Sequence, residues 1–149
     1  MTELPRITEL EGLADPEALP GPTPVSAPYF DAAAHGELIF QRCVRGHAFL
    51  YPRSLCPFCH SAELVWERST GRGEVVTFAP VYRPPWDDLT RPVPYVVALV
   101  RLDEGPQLLS TIERTAPAQV HIGLRVKAVF EAVAEDVGLV RFVPDAARA

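Results

Sequence analysis

The sequence has no long hydrophobic run. Its longest uninterrupted apolar stretch, Tyr95 to Val100, has six residues, whereas a membrane-spanning helix needs ~18 or more. The first residues carry neither a basic cluster nor an apolar core, so no secretory signal is expected. We therefore predict a soluble, cytoplasmic protein that does not enter a membrane.

Positive charge and catalytic motifs are also scarce. The 149-residue chain has a net charge of −5, which argues against non-specific nucleic-acid binding because that binding needs a cationic surface. The sequence contains no G-x-S-x-G, H-E-x-x-H, P-loop or dinucleotide-binding fingerprint. We expect no catalytic residue and no activity of the isolated chain.

Proline, by contrast, is abundant, with sixteen in the chain and six in the first 28 residues. This density disfavours long helices. Residues 1–27 hold five acidic residues against one basic residue, without a sustained hydrophobic period. The composition predicts an extended acidic, proline-rich arm that either drapes over a partner or is simply solvated.

The three cysteines all lie between residues 43 and 59. An odd, clustered set favours a metal or redox site over a secreted disulfide framework. Cys56 and Cys59 have the C-x2-C spacing of a zinc knuckle, and Cys43 with His47 would complete a Cys3His tetrahedron. His60 is a poorer ligand because it directly follows Cys59. The alternative is a degenerate, metal-free ribbon held by apolar side chains: Leu50, Tyr51, Leu55, Phe58 and Trp66.

From Gly73 onward the sequence is typical of β-structure. Five strands are predicted, over residues 74–82, 95–102, 107–112, 124–132 and 139–143. Upstream, a short helix is predicted within residues 28–37, strands over 38–42 and 64–67, and a flexible neck over 69–73. Five strands with an irregular segment between the third and fourth fit a small Greek-key barrel, either an OB-fold or an SH3-like barrel.

Short motifs then follow one another in a distinctive order. They are Tyr29-Phe30-Asp31, Gly36-Glu37-Leu38, Gln41-Arg42-Cys43, Gly46-His47, Tyr51-Pro52-Arg53, Cys56-Pro57-Phe58-Cys59, Gly71-Arg72-Gly73, Tyr82-Arg83-Pro84-Pro85, Pro94 to Val100, Leu102 to Gly105 and Arg141 to Pro144. Over residues 28–145 this order resembles the zinc-ribbon plus OB-fold proteins of domain-of-unknown-function family thirty-five. That family carries C-x2-C-G-H at its first knuckle, whereas this chain lacks the second cysteine before Gly46-His47.

The resemblance implies a mostly β protein in three parts: the arm (1–27), a helix plus rubredoxin-like zinc ribbon (28–70) and a five-stranded OB-fold (71–149). Members of the family are accessory subunits that bind thiolase-like enzymes and help to hold the acyl-CoA, some of them in steroid side-chain metabolism. The resemblance therefore implies a hetero-oligomer with a thiolase-like subunit, with zinc and acyl-CoA as the bound groups.

Two regions are candidates for contact with acyl-CoA or the partner. Guanidinium groups suit CoA phosphates or partner carboxylates, and Arg45 and Arg72 lie in a locally basic stretch. Arg83 and Trp86 lie in the long first loop of the barrel, where OB-folds present ligands. The alternative function is a single-stranded nucleic-acid-binding OB module, although residues 73–149 are not basic.

Overall fold

The computed structural model describes residues 21–83 and 91–146. Within these ranges the chain forms one α-helix, α1 (Ala27–Ala34), followed by eight strands. The strands are β1 (Ile39–Cys43), β2 (Ala48–Phe49), β3 (Leu64–Arg68), β4 (Arg72–Val81), β5 (Tyr95–Leu102), β6 (Gln107–Ile112), β7 (Arg125–Ala134) and β8 (Val137–Pro144). No helix in the described ranges is long and apolar enough to cross a bilayer. Residues 1–20, most of the predicted arm, lie outside them.

The first three strands form the ribbon, which we define as residues 39–68. They pair antiparallel in the order β2-β1-β3, with Cys43 opposite Leu64 and Gln41 opposite Phe49. The strands predicted over 38–42 and 64–67 are thus confirmed within one residue. The two-residue strand β2 was not predicted, since Ala48-Phe49 is too short to show any alternation.

The last five strands close into a barrel in the order β4-β5-β6-β8-β7. β4 pairs with both β5 and β7, and β6 meets β8 in parallel through the single pair Ile112 and Phe142. The irregular segment between β6 and β7 contains a short 3-10 turn, Pro117–Gln119. This closed order selects the OB-fold over the SH3-like alternative, and the predicted fold class is confirmed.

The ribbon and the barrel share one hydrophobic core. Buried Ala33 of α1, Leu38 just before the ribbon and Leu50 within it join the barrel residues Val126 and Phe142 in a single cluster. Gly36, with φ of +79°, ends the helix by adopting the left-handed conformation that glycine tolerates. The chain then turns directly into β1, so the helix is held between the two sheets.

The neck between ribbon and barrel is fixed by hydrogen bonds, in contrast to the flexible neck predicted over residues 69–73. Ser69 is buried and donates its hydroxyl proton to Glu104, at 2.9 Å, while its backbone N–H bonds Leu38. The backbone N–H of Thr70 also donates to Glu104, at 2.6 Å. The prediction was wrong because it was based on the small residues of the neck alone. The local sequence does not show that the carboxylate of Glu104, from another loop, hydrogen-bonds to them.

Candidate metal centre and the ribbon–barrel cleft

The four predicted metal ligands come together at one end of the ribbon. The Sγ atoms of Cys43, Cys56 and Cys59 and a ring nitrogen of His47 all lie within 4.8 Å of one another. Cys43 Sγ is 3.7 Å from Cys59 Sγ and 3.4 Å from His47 Nδ1, and Cys56 Sγ is 3.7 Å from the same nitrogen. His60 is not part of this cluster.

These separations fit a tetrahedral zinc ion. With Zn–S near ~2.3 Å and Zn–N near ~2.0–2.1 Å, tetrahedral geometry sets edges of about 3.8 Å between sulfurs and about 3.6 Å between sulfur and nitrogen. The observed distances of 3.7, 3.4 and 3.7 Å are close to these edges. Thiolate and imidazole ligands in this number are also the set that structural zinc sites use. The residues present therefore fit zinc, although one knuckle lacks a cysteine.

The backbone around the ligands explains how a histidine replaces the missing cysteine. Cys43 ends β1, and Gly46, with φ of +89°, closes a tight turn in which its N–H bonds the Cys43 carbonyl at 2.9 Å. The Cys43 N–H in turn bonds the His47 carbonyl at 3.0 Å. This turn returns His47 to the side of Cys43. On the second knuckle the Phe58 N–H points at Cys56 Sγ, at 3.4 Å, as expected for a thiolate that accepts backbone hydrogen bonds.

The local field favours the thiolate form at Cys43. Burial raises the pKa of this thiol. Hydrogen bonds from the backbone of His47 and Arg45 and from the thiols of Cys56 and Cys59 together lower the pKa by more than burial raises it, to about 6. At Cys59 the backbone of Ser61 lowers the pKa, whereas burial and the neighbouring cysteines raise it, and the net direction is upward. Thiolates this close together repel unless a cation lies between them, which is the role that a zinc ion fills.

The interior of the ribbon argues against the degenerate, metal-free alternative. Its buried cluster consists of Cys43, Phe49 and Cys56, with Cys59 and Leu64 packed against it. Three of the five side chains proposed to hold a metal-free ribbon are instead largely exposed: Tyr51 (53%), Leu55 (49%) and Phe58 (65%). Around the cysteines themselves, so small an apolar cluster supplies little hydrophobic stabilisation. This favours a zinc-bound ribbon over the metal-free alternative.

Sequence reasoning missed a buried glutamine that holds the second knuckle in place. Gln41, 5% exposed, donates from Nε2 to the Arg53 carbonyl at 3.1 Å and accepts the Arg53 N–H at 2.8 Å. The side-chain amide thus pairs with the backbone as a neighbouring strand would, three residues before Cys56. No sequence signal marks this contact, because a glutamine in a strand usually faces solvent.

We expect Gln41→Ala to lower the free energy of unfolding by about 2 kcal/mol, because it leaves a partly buried N–H and C=O of Arg53 without partners. Chemical denaturation followed by circular dichroism would measure this loss. The matched control is Gln107→Ala on β6, whose side chain is exposed. Equal unfolding midpoints for the two variants would contradict the structural role of Gln41.

The predicted contact arginines lie on separate elements. Arg45 is exposed in the turn between Cys43 and His47, and Arg83 is exposed just after β4. Arg72 is the first residue of β4, and its Nη1 lies 3.7 Å from Oδ2 of Asp145. Trp86 falls in residues 84–90, outside the described part of the chain. None of the three arginines lines the cavity between ribbon and barrel, and the role of all four residues in binding remains a prediction.

A cleft between ribbon and barrel does exist, but other residues line it. A cavity of about 320 Å³ lies between α1, residues 50–52 and the strands β6 and β8. Tyr29, Phe30 and Tyr51 contribute aromatic walls, and Arg141 contributes a charged group. Tyr51 also joins the two modules, since its phenol oxygen accepts the Leu109 N–H at 3.0 Å.

Two family models match adjacent parts of the chain. Residues 30–65 match the rubredoxin-like zinc ribbon domain of ChsH2, and residues 66–131 match the C-terminal OB-fold domain of ChsH2. The matched residues of the first model include all four candidate metal ligands. The junction between the two models falls in β3, immediately before the neck.

Individual relatives give the same picture. A DUF35 domain-containing scaffold protein of Methanocaldococcus jannaschii is 35% identical over 101 residues, which is 66% of this chain and 71% of the relative. The 3-oxo-4,17-pregnadiene-20-carboxyl-CoA hydratase alpha subunit of Mycobacterium tuberculosis is 32% identical over 118 residues, 78% of this chain but only 37% of the relative.

Among solved structures, the chain is similar to one described as the Ltp2-ChsH2(DUF35) aldolase. The match has a TM-score of 0.74 and 30% sequence identity, and it covers 85% of this chain and 98% of that chain. Both modules and their order are therefore common to the two proteins. Taken with the similarity to the scaffold proteins, this match shows that the chain belongs to the DUF35 family of zinc-ribbon plus OB-fold proteins.

Proposed function

We propose that this chain is a non-catalytic accessory subunit of an acyl-CoA enzyme complex. It binds a thiolase-like condensing or cleaving subunit and helps to hold the acyl-CoA, with one zinc ion in its ribbon. The observation that carries the proposal is the similarity to the Ltp2-ChsH2(DUF35) aldolase, which extends over 98% of that chain at 30% identity. The hydratase subunit among the relatives points to the same substrate class, an acyl-CoA in lipid or steroid metabolism.

The side chains are consistent with an accessory role. Within residues 21–83 and 91–146, the nucleophilic cysteines converge on one another and on His47 at tetrahedral spacing. This arrangement suits a metal better than a nucleophile and its base, which need an open position for substrate. The chemistry of the complex therefore belongs to the partner subunit.

The barrel carries little free positive charge, which disfavours the nucleic-acid alternative. Its arginines are largely neutralised by carboxylates, in the pairs Arg72–Asp145, Arg91–Glu113, Arg101–Glu74, Arg125–Asp103 and Arg141–Glu131. A single-stranded nucleic-acid site needs a cationic groove beside its stacking aromatics. Arg45 and Arg83, by contrast, form no ion pair with the described residues. Arg72 has the longest of the five pairs, 3.7 Å from its Nη1 to Asp145 Oδ2, and its side chain remains 40% exposed. We propose these three arginines, with Trp86, as contacts to the partner or to the CoA phosphates.

Co-expression with a thiolase-like protein encoded beside this chain tests the proposal. We expect the two to co-purify, acyl-CoA turnover to require both, and the isolated chain to have none. Arg45→Glu should weaken the complex or raise its acyl-CoA requirement, whereas Arg101→Ala, whose arginine is already paired with Glu74, serves as the control. Acyl-CoA turnover by the isolated chain, lost on substitution of a single cysteine, would overturn the accessory role.

A further inference from the structure

The cavity between ribbon and barrel has a structural cause in the barrel wall. β6 and β8 are neighbours, but they pair only at Ile112 and Phe142. Residues 107–111 of β6 and 137–141 of β8 form no ladder pairs with each other, and α1 and residues 50–52 lie over this stretch of the wall. The resulting volume of about 320 Å³ falls within the ~300–1,000 Å³ typical of small-molecule sites.

Most of the cavity wall is apolar. Phe30, Leu50, Pro52, Leu108, Leu139 and Val140 contribute hydrocarbon surface, and Gly138 contributes backbone only. The polar side chains that line the cavity are Arg141, Ser110, Thr111 and two tyrosines, Tyr29 and Tyr51. The ligand that this wall recognises depends on which of these polar groups are already satisfied within the protein.

The charge and the aliphatic hydroxyls are satisfied. Arg141 is held by the buried carboxylate of Glu131 at 2.8 Å and donates from Nη1 to Thr111 Oγ1 at 3.1 Å. Thr111 donates its own proton to Glu113 at 2.5 Å, and Ser110 donates to the Val140 carbonyl at 2.6 Å. Neither a net charge nor an aliphatic hydroxyl proton therefore remains for a ligand.

The two phenols are different. Tyr51 accepts a hydrogen bond from the Leu109 N–H, but its own proton has no acceptor among the described residues. The Tyr29 hydroxyl likewise forms no hydrogen bond with them, although the ring is half-buried and packs edge-on against Phe30 with centroids 5.4 Å apart. Burial, with a smaller contribution from Tyr51, raises the pKa of Tyr29, so this phenol keeps its proton. The apolar cavity thus offers two uncommitted O–H donors.

We propose that this cavity binds an uncharged apolar molecule whose carbonyl oxygen accepts hydrogen bonds from Tyr29 and Tyr51. A carbonyl oxygen has two lone pairs and suits two donors. A carboxylate would have to be desolvated without a free cation to compensate it, and a pure hydrocarbon would leave both donors unused. The inference rests on this chain alone and is independent of the partner assignment under the proposed function.

A matched set of three ligands tests the inference on the isolated full-length chain. They are 4-phenyl-2-butanone, n-butylbenzene, which lacks the oxygen, and 3-phenylpropanoate, which carries a charge in its place. Each ligand is titrated into the protein, and the amide chemical shifts are followed by NMR to give its affinity. We expect the shifts that change to lie in α1, β6 and β8, which line the cavity. We expect the ketone to bind saturably and the carboxylate to bind at least about tenfold more weakly, since its desolvation is not compensated.

Substitution of each phenol separates hydrogen bonding from packing. Tyr29→Phe and Tyr51→Phe should each raise the Kd of the ketone about fivefold, the usual range for one neutral hydrogen bond, and leave that of butylbenzene unchanged. Tyr82→Phe is the control, because Tyr82 is exposed and does not line the cavity. The infrared carbonyl band of the bound, 13C-labelled ketone should shift to higher frequency in Tyr29→Phe, a change that a purely structural role would not produce.

Two results would overturn the inference. One is the absence of saturable ketone binding up to its solubility limit. The other is equal affinity for ketone and hydrocarbon with no effect of Tyr29→Phe, which would make the cavity a simple apolar recess for a partner's side chain. Neither result would bear on complex formation, because the partner subunit takes no part in the measurement.

Discussion

His47→Ala is expected to lower the affinity of the ribbon for zinc by on the order of a hundredfold or more. Structural zinc sites contribute apparent binding free energies of ~10–16 kcal/mol from four ligands, so loss of one ligand removes roughly a quarter of that, about 3 kcal/mol. The wild-type chain should contain about one zinc per molecule by elemental analysis, the stoichiometry of a single tetrahedral site. A competition titration with a chromophoric chelator would give the two affinities.

The matched control is His60→Ala. His60 directly follows Cys59 but is exposed and outside the group of ligand atoms that lie within 4.8 Å of one another. Its removal should leave zinc content and affinity unchanged. If His47→Ala instead retained wild-type affinity, His47 would be removed from the site, and a wild-type chain without zinc would favour the metal-free ribbon.

Zinc removal should also lower the stability of the barrel. Leu38 and Leu50 flank the ribbon strands and belong to the barrel's own hydrophobic cluster, and the neck between the modules is hydrogen-bonded to Glu104. Since these contacts couple the two modules, loosening the ribbon withdraws apolar surface from the barrel. We therefore expect chelation to lower the stability of the whole chain rather than to unfold the ribbon alone.

Gly138→Ala is expected to cost about 3 kcal/mol of unfolding free energy, the upper part of the usual range for overpacking. A Cβ atom on Gly138 would lie 2.3 Å from the carbonyl carbon of Ala33 and from the backbone nitrogen of Ala34. Helix backbone, unlike a flexible side chain, cannot move aside without giving up its own hydrogen bonds. For a chain of this size the loss corresponds to a fall in Tm of about 10 °C.

Gly21→Ala is the control for this substitution, because a Cβ atom at Gly21 would meet nothing within 4 Å. Differential scanning calorimetry of the two variants and the wild type would measure the difference. A Tm for Gly138→Ala within about one degree of the control would mean that α1 does not lie against β8 as described. If the contact is present, the added methyl group must lower the free energy of unfolding measurably.

Much of the fold follows from the sequence alone. The barrel strands are rich in β-branched and apolar residues over stretches that match strand length, so β5 and β6 were predicted with their observed bounds. The knuckle spacing of Cys56 and Cys59 and the presence of His47 near Cys43 were sufficient to identify a candidate ligand set. These features are local, and a local pattern is what a sequence displays directly.

The tertiary structure decided what depends on contacts between distant segments. Strand pairing, not strand content, distinguishes the OB-fold from an SH3-like barrel, and only the closed order β4-β5-β6-β8-β7 settles it. The hydrogen bonds between Gln41 and Arg53 join residues that are twelve positions apart in the sequence, and the contact of Gly138 with α1 joins residues about a hundred positions apart. The same holds for the neutralised barrel arginines and for the two phenols of the cavity. In each case the sequence supplied the chemical group, but its partner was fixed only when the chain folded and removed both from water.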